Sequence, residues 1–418
     1  MTPTLSDLTR AFAHIGVLSF GGPAAQIALM HRELVDDRKW LTEKEYLSAL
    51  SFCMLLPGPE AMQLATYAGW RLHGTKGGLI AGGLFVIPGA LVVLALSMIY
   101  AAFGDVPLVA AIFTGVQAAV VAIVIEALLR VARRALKTRS HWAVAGLTFI
   151  ALFAFAVPFP IVIIAAGLWG FFSAPAPAAA PPDTPAPWRE SLRACIIWGA
   201  VWLLPLAALV GLEGGLLAEI GLYFSKLAML TFGGAYAVLA WMTQTVVQEK
   251  GWLTLPQMMD GLGLAETTPG PLILVTEFVG YLAAHRQGGV PLGLMAAGIT
   301  LWMTFAPCFL WIFAGAPWIS RLTAAPRLTG ALAAITAAVV GVIANLSLWF
   351  AAHVFFDAVP TVTFGPLRMI LPDLASRDVT AAVMALASAY LLLWRHWPLP
   401  LVLALAALAG ASLALIGR

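Results

Sequence analysis

Long apolar stretches separated by short polar segments run along the whole chain. Stretches of about 20 hydrophobic residues recur from end to end, and that length crosses a hydrocarbon core of about 30 Å as an α-helix. These stretches do not alternate apolar and polar residues, as the strands of a membrane β-barrel do. The pattern therefore predicts an all-α polytopic membrane protein.

Composition agrees with that prediction and narrows the chemistry. Hydrophobic residues make up 61% of the 418 residues and charged residues only 10%, whereas soluble domains average about 25% charged residues. The net charge is +3 and the basic residues lie in loops, which gives no reason to expect nucleic acid. Cys53, Cys195 and Cys308 lie in apolar stretches without metal-ligand spacing, so neither a disulfide framework, a metal site nor a cofactor is expected.

The chain contains an internal duplication. The motif FGG occurs at residues 20–22 and 232–234, and the motif PGP at residues 57–59 and 269–271, both 212 positions apart. Over the 40 positions from Phe20 to Pro59, 14 are identical to the residue 212 positions later, where average residue usage gives about three by chance.

The duplication defines the predicted domains. Residues 1–173 form an N-terminal repeat and residues 194–418 a C-terminal repeat. The Pro/Ala-rich segment 174–193 between them predicts an extended linker. We call the two repeats the first and second copies.

Basic residues change sides between the copies. Residues 130–139 carry five Lys or Arg and their counterparts 342–351 carry none; residues 31–44 carry four and residues 243–256 carry only one. Because basic loops stay in the cytoplasm, the two copies are predicted to sit in opposite orientations. Such inverted repeats are typical of secondary transporters.

The PGP and FGG motifs interrupt apolar stretches. Proline removes a backbone donor and disfavours helix at the preceding residue, and irregular backbone at membrane depth persists only inside protein or beside a polar cavity. A helix that begins at Pro59 or after Pro271 has free amides in its first turn, and glycine lets a ligand approach closely. Helix N-termini carry about half a positive charge each and bind anions. Four such ends predict a site for a doubly charged oxyanion, although a simple kink is the alternative for each break.

Two chain paths through the first PGP motif are open. A re-entrant hairpin with PGP at its tip keeps the basic segments before and after it on the cytoplasmic side, and we prefer it. The alternative is a full span with an unwound centre. The FGG segment has the same two interpretations.

The repeated motifs resemble the chromate transporter family. The residues that carry the resemblance are FGGP at 20–23, DDRKWLTEKEY at 36–46 and LLPGP at 55–59, with LTFGG, KGWLT and TTPGP in the second copy. The resemblance implies a multi-pass protein of the bacterial inner membrane that exports chromate, with sulfate as its analogue, by exchange with protons. Two departures are the missing proline after the second FGG and Glu60 directly after the first PGP, where a small or hydroxyl residue is expected. A transporter of sulfate or another tetrahedral oxyanion is the alternative.

The candidate site consists of the breaks and the polar side chains near them. For substrate binding it comprises Gly21, Gly22, Pro57, Gly58, Pro59, Glu60, Gln63, His14, Lys226, Gly233, Gly234, Pro269, Gly270 and Pro271. His14 and Lys226 stand six residues before each FGG, inside apolar stretches where ionisable groups are usually functional; the alternative is snorkelling towards an interface. Glu60, Glu266 and Glu277 are candidates for proton coupling.

Other classes of function fit less well. A membrane-embedded enzyme needs a nucleophile–base pair or a metal constellation, and the seven histidines are scattered without an HExxH or Walker motif. A channel is disfavoured because duplicated, broken segments suit alternating access. The predicted partners are the oxyanion, protons and the lipid bilayer, with a homodimer as one form of assembly.

Overall fold

Long helices dominate the computed structural model, which describes residues 3–104, 106–175, 187–212, 214–232, 234–323 and 325–416. The helices of the first copy are α1 Leu5–Leu18, α2 Gly22–His31, α3 Glu43–Cys53, α4 Glu60–Phe103, α5 Pro107–Ala135, α6 Arg139–Phe155 and α7 Phe159–Ser173. Then follow α8 Trp188–Leu212, α9 Leu216–Leu230, α10 Ala235–Thr243, α11 Leu255–Thr267, α12 Val275–Gly315, α13 Ile319–Thr323, α14 Pro326–Phe355, α15 Val379–Ala389 and α16 Leu399–Ile416.

Several of these helices are long and apolar enough to cross a membrane. Over the described ranges there are six: Glu60–Phe103, Pro107–Ala135, Trp188–Gly211, Leu272–Trp318, Pro326–Phe355 and Leu399–Ile416. They confirm the predicted all-α polytopic fold. A small exposed hairpin was not predicted: β1 Thr361–Phe364 pairs antiparallel with β2 Leu367–Ile370 in the segment between α14 and α15.

The helices break where the sequence predicts. Helix α1 ends at Leu18 and α2 begins at Gly22, and α3 ends at Cys53 while α4 begins at Glu60. In the second copy the chain is non-helical between α9 and α10, and between α11 and a short 3₁₀ turn at Leu272–Leu274 that leads into α12. The broken helices at FGG and PGP are therefore confirmed.

Backbone geometry repeats together with the sequence. Ser19 ends α1 with φ −75° and ψ 62°, and Thr231, 212 positions later, ends α9 with φ −77° and ψ 70°. A π-helical turn follows α2 at Arg32–Asp37, and another follows α10 at Gln244–Glu249, again 212 positions later. The duplication thus extends to local conformation.

A second matched feature lies inside the two longest helices. His73 and Gly74 interrupt α4 with φ/ψ of −138°/26° and 61°/−153°, and Gly288 and Gly289 interrupt α12 with −140°/20° and 67°/−161°. These kinks are 215 positions apart, three more than the motifs. The second copy therefore has three additional residues between PGP and the kink.

The chain folds back at the first PGP motif. Helix α3 has 11 residues and is about 16 Å long, too short to cross the hydrocarbon core. Arg71 on α4 donates to the Glu45 carboxylate near the start of α3 at 3.2 Å. In one straight helical span these residues would be about 39 Å apart, because 26 positions separate them and a helix rises about 1.5 Å per residue. The chain therefore folds back at the first PGP motif, as the hairpin path predicts, and does not form one straight span.

The first FGG segment also folds back. His14 Nδ1 of α1 lies 3.4 Å from Glu33 Oε1, which follows α2. A straight helix would separate the two residues by about 28 Å. Both breaks of the first copy are therefore tips of helical hairpins.

The structure divides into two compact units, each built from both copies. Unit 1 contains α1–α4, α8, α9, α12 and α13 together with the FGG and PGP breaks; unit 2 contains α5–α7, α15, α16, the β hairpin and most of α10, α11 and α14. Helix α8 begins at Trp188, inside the predicted linker 174–193, of which residues 176–186 lie outside the described residues.

Small residues set the packing within unit 2. A Cβ added to Gly115 on α5 would lie 1.9 Å from the carbonyl oxygen of Ala406 on α16, and one added to Gly410 would lie 2.3 Å from that of Ala111. Close approach through small residues is how membrane helices gain packing without a hydrophobic driving force between them.

Candidate functional site

Each PGP motif is hydrogen-bonded to the end of the helix before FGG in the other copy. The amide of Gly58 donates to the carbonyl oxygen of Thr231 at 2.7 Å, and the amide of Gly270 donates to that of Ser19 at 2.8 Å. Gly58 and Gly270 are repeat counterparts, and so are Ser19 and Thr231. Reciprocal contacts of this kind are produced by a two-fold axis. The breaks of unit 1 therefore form two matched pairs related by pseudo-two-fold symmetry.

That symmetry bears on the predicted orientation of the copies. A two-fold axis in the membrane plane gives inverted repeats, and one along the membrane normal gives parallel repeats. Reciprocal hydrogen bonds fit both, whereas the swapped Lys/Arg bias fits only the inverted plan. The inverted orientation stays a prediction.

A hydroxyl residue closes the helix before each FGG motif. Ser19 Oγ donates to the Ile15 carbonyl oxygen at 2.6 Å, and Thr231 Oγ1 donates to that of Leu227 at 2.7 Å. Because α1 and α9 end at these residues, the backbone carbonyls of Ser19 and Thr231 have no helical donor and accept from the PGP amides. The repeated Ser/Thr before FGG was the sequence signal for this contact, and sequence reasoning missed it.

The helix after the first FGG begins without a side-chain cap. Gly21 precedes α2 with φ 85°, a conformation that favours glycine, and has no side chain that could accept a hydrogen bond from the first-turn amides. Gly22 opens α2 and is partly buried, whereas Gly21 is exposed. In the second copy Gly234 has φ 96°, and Gly233 lies outside the described residues. First-turn amides with no internal partner are thus available for an acceptor at this break.

The PGP glycines are required by both conformation and space. Gly58 has φ 120° and Gly270 has φ 92°. A Cβ on Gly58 would lie 2.7 Å from Gln63 Nε2 and 2.9 Å from Cys308 Sγ. Their own amides are occupied by the other copy, so an anion at PGP would contact the amides that follow.

The second PGP motif is more enclosed than the first. Pro269, Gly270 and Pro271 are all buried, whereas Pro57 is only partly buried and Pro59 is buried. Gly89 on α4 packs against this second motif, since a Cβ there would lie 2.2 Å from the Pro269 carbonyl oxygen. The sequence offered no sign of this long-range packing.

Two buried glutamines stabilise the breaks. Gln26 Nε2 donates to the carbonyl oxygens of Gly270 at 2.6 Å and Ser19 at 3.2 Å, and thereby holds the FGG segment of one copy to the PGP motif of the other. Gln63 Nε2 donates to the Pro57 carbonyl oxygen at 2.6 Å within its own copy. Each glutamine has a buried Oε1 without a hydrogen-bond partner among the described residues. Gln63 was predicted, and Gln26 was missed.

Glu60 reaches the FGG motif of the other copy. Its carboxylate oxygens lie 3.9 and 4.0 Å from the position a Cβ would take on Gly234, and the side chain is partly buried. A carboxylate beside a break that presents helix amides competes with an anion for the same positive potential. A protonated Glu60 would not compete in this way, and its part in proton coupling stays a prediction.

The other two carboxylates are more deeply buried. Glu266 on α11 is 7% exposed and Glu277 on α12 is 1% exposed. Glu277 Oε2 has no hydrogen-bond partner among the described residues. Burying an unpaired polar oxygen is costly, so Glu277 is retained at a structural cost.

His14 and Lys226 occupy exposed positions on their helices. The side chain of His14 is 53% exposed and lies beside Glu33, which also accepts from Arg38 Nε at 3.1 Å. Lys226 is exposed on the face of α9 that carries Leu222 and Met229. Both side chains thus project from the surface of unit 1, and their contact with substrate stays a prediction.

Ion pairs order the segment that follows α2. His31 Nε2 lies 2.7 Å from Glu43 Oε2, and His31 Nδ1 lies 3.3 Å from Asp36 Oδ2. The hydrogen bond with Glu43 raises the pKa of His31 above its usual value. Hydrogen bonds from Thr42, with a smaller contribution from Arg71, lower the pKa of Glu45 at the start of α3.

Comparison with known proteins identifies the repeated unit. The family model "Chromate transporter" matches residues 6–171 and again residues 218–411. The chromate transport protein of Cupriavidus metallidurans is 31% identical over 379 residues, which cover 88% of each chain. The chromate transport protein of Pseudomonas aeruginosa is 34% identical over 364 residues, 86% of this chain and 84% of that one.

A third relative agrees. The probable chromate transport protein of Synechococcus elongatus is 30% identical over 371 residues, 88% of this chain and 89% of its own. No solved structure matches the chain. The broken, paired repeats are thus those of a known membrane family, and the chain belongs to the chromate transporter family, with the family's domain present once in each copy.

Proposed function

We propose that this protein exports chromate across the bacterial inner membrane by secondary active transport coupled to the proton gradient. The observation that carries the proposal is the reciprocal pairing of each PGP motif with the FGG segment of the other copy. Chromate comes from the names of the relatives, and a doubly charged tetrahedral oxyanion suits a site built from helix N-termini.

Anion binding would rest on backbone groups at the breaks. Helices α2 and α4 begin at these breaks, and each helix start contributes about half a positive charge. The amides of Gly58 and Gly270 hold the two copies together, so the oxyanion would accept from the first-turn amides beyond them. Lys226, two helical turns before FGG, would add a full cation that follows the substrate.

Proton coupling would rest on the carboxyl groups beside the breaks. Glu60 lies against Gly234 of the opposite copy. A negatively charged Glu60 would repel an oxyanion bound there. Proton binding at Glu60 and anion binding at the break would then favour each other. Glu266 and Glu277 are the alternative proton carriers, and His14 is a further candidate for the link to protons.

Everted membrane vesicles test the proposal directly. Uptake of labelled chromate is measured with and without an imposed proton gradient and with sulfate as competitor. The expected result is gradient-driven uptake that sulfate inhibits, and that Glu60→Gln uncouples from the gradient. Glu249→Gln is the matched control, because Glu249 is exposed and lies outside the candidate site. Chromate uptake by the wild-type protein that does not depend on the proton gradient would contradict proton coupling.

A transporter of sulfate or another tetrahedral oxyanion is the second candidate function. Glu60 favours it, because a carboxylate directly after PGP departs from the pattern expected of chromate transporters. The competition arm of the vesicle experiment separates the two: sulfate uptake that chromate does not inhibit would support the second candidate.

A further inference from the structure

Unit 2 contains a polar cavity that the breaks do not account for. Its volume is about 400 Å³, and its polar lining comes from three parts of the chain: Gln244 and Gln248 on the π-helical turn after α10, Asn345 on α14, and Thr361 and Arg368 on the β hairpin. Volumes of about 300–1,000 Å³ are usual for small-molecule sites. All these residues belong to unit 2, so the cavity is separate from the candidate site in unit 1.

The charged lining of the cavity is positive. Among the described residues that line it, Arg368 is charged and none is an Asp or Glu. Two carboxylates later in the same segment lie outside the cavity lining: Asp373 accepts from the Ala375 amide at 2.9 Å and Asp378 from the Ala381 amide at 2.9 Å. Arg368 forms no ion pair with a described carboxylate. Arg368, Gln248 and Thr361 are exposed, and a guanidinium that shares a cavity with amide and hydroxyl donors is suited to a tetrahedral oxyanion.

Three segments place the cavity on the same predicted side of the membrane. Residues 243–256 are predicted to be periplasmic from the swapped basic bias. Helix α14 begins next to the basic residues Arg321 and Arg327, so the β hairpin after its other end is periplasmic too. Helix α6 starts at the basic cluster 130–139 and ends at the cavity near Phe153. All three segments are placed by the same positive-inside rule, and all three put the cavity on the predicted periplasmic side.

We propose that this cavity binds one doubly or singly charged tetrahedral oxyanion at Arg368, with Gln244, Gln248 and Asn345 as further donors. The ligand chemistry is that of free sulfate or chromate and also that of a phospholipid phosphate. The inference goes beyond the proposed transport function, since binding here requires neither the FGG nor the PGP motifs.

Site-specific thiol labelling tests the cavity alone. Thr361→Cys is introduced into the full-length protein without its three native cysteines and reconstituted in detergent without added phospholipid. The labelling rate with a sulfonate-bearing methanethiosulfonate is measured against sodium sulfate, with chloride at equal ionic strength as the reference. The expected result is that sulfate slows labelling. Arg368→Gln weakens this protection about tenfold or more, the usual effect of losing one charge-assisted hydrogen bond.

Matched variants complete the test. Arg377→Gln, on the same segment but outside the cavity lining, is expected to keep full protection, and Arg368→Lys to keep part of it, which shows that the variants fold. A second arm adds phosphatidylglycerol: protection by the lipid in place of sulfate identifies a headgroup as the occupant. Protection by neither anion, or protection that survives Arg368→Gln, would overturn the proposal.

The outcome does not depend on the transport mechanism. Gly58→Ala, at the PGP motif of unit 1, is expected to leave protection of Thr361→Cys unchanged. A protein that transports no chromate and still shows Arg368-dependent protection would refute the proposed function and support the cavity site. A protein that transports chromate but shows no Arg368-dependent protection would support the proposed function and refute the cavity site.

Discussion

Replacing Gly58 by alanine tests whether the PGP motif needs glycine for function. The backbone has φ 120° there, and a side chain in such a region costs about 1–3 kcal/mol. The new Cβ would also lie 2.7 Å from Gln63 Nε2 and 2.9 Å from Cys308 Sγ. Overpacking of this kind costs about 1–3 kcal/mol more. Both costs destabilise the backbone conformation in which the Gly58 amide donates to the Thr231 carbonyl oxygen.

Gly74→Ala is the matched control for that substitution. Gly74 also has a positive φ, 61°, but a Cβ there meets nothing within 4 Å. Both variants carry a conformational cost, since each glycine has a positive φ, and only Gly58→Ala adds the clash of about 1–3 kcal/mol. If transport needs the paired break, Gly58→Ala is therefore expected to transport about 5- to 150-fold more slowly than Gly74→Ala at equal membrane abundance.

The assay is chromate uptake by everted vesicles, normalised to the amount of protein in the membrane. Gly270→Ala should behave like Gly58→Ala, because Gly270 has φ 92° and a Cβ there would lie 2.9 Å from Leu274 Cδ1. Equal uptake by Gly58→Ala and Gly74→Ala would refute the reasoning and reduce the first PGP motif to a kink.

Three further predictions follow from the charges. Single cysteines in loops 31–44 and 243–256 should react oppositely with an impermeant thiol reagent in intact cells, and equal labelling of both from outside contradicts inverted copies. Lys226→Gln should impair chromate uptake far more than Lys226→Arg if a cation at that position serves the anion; similar uptake by both removes Lys226 from the site. The raised pKa of His31 means that its pairing with Glu43 stabilises the fold fully below pH 6.5, and that this contribution disappears as the pH rises through the higher folded-state pKa. The melting temperature of wild type minus that of His31→Gln should therefore fall between about pH 6 and pH 8, and a difference that rises with pH would contradict the assignment.

Local chemistry made the breaks predictable. A proline or glycine acts on its own backbone and that of its neighbours, so the ends of α1 and α3 and the positive φ of Gly58 and Gly270 could be inferred from the motifs alone. Apolar length likewise gave the spanning helices. These features depend on residues close together in the sequence.

Features that depend on distant residues were not predictable in the same way. The hydrogen bond from Gly270 to Ser19 joins residues about 250 positions apart, and no periodicity encodes it. Gln26 was missed for the same reason, because its role comes from the Gly270 carbonyl oxygen. His14 and Lys226 show the converse limit: an apolar stretch indicates burial of a helix but does not tell which of its faces is covered. Their exposure became visible only when the neighbours of α1 and α9 were known.

The unequal burial of the two PGP motifs bears on how the protein would move its substrate. The two PGP motifs are repeat counterparts, and each is hydrogen-bonded to the other copy in the same way. Their surroundings differ, since Pro57 is partly exposed and Pro269 is buried. The reciprocal hydrogen bonds of Gly58 and Gly270 would also be available in the exchanged arrangement, with the second motif open and the first enclosed, whereas the contact of Gln26 with Gly270 would not, because its repeat counterpart is Val238. In inverted copies that exchange turns an opening on one side of the membrane into an opening on the other. The oxyanion and the proton at Glu60 would then shift the balance between the two arrangements only by as much as they bind one of them more tightly than the other.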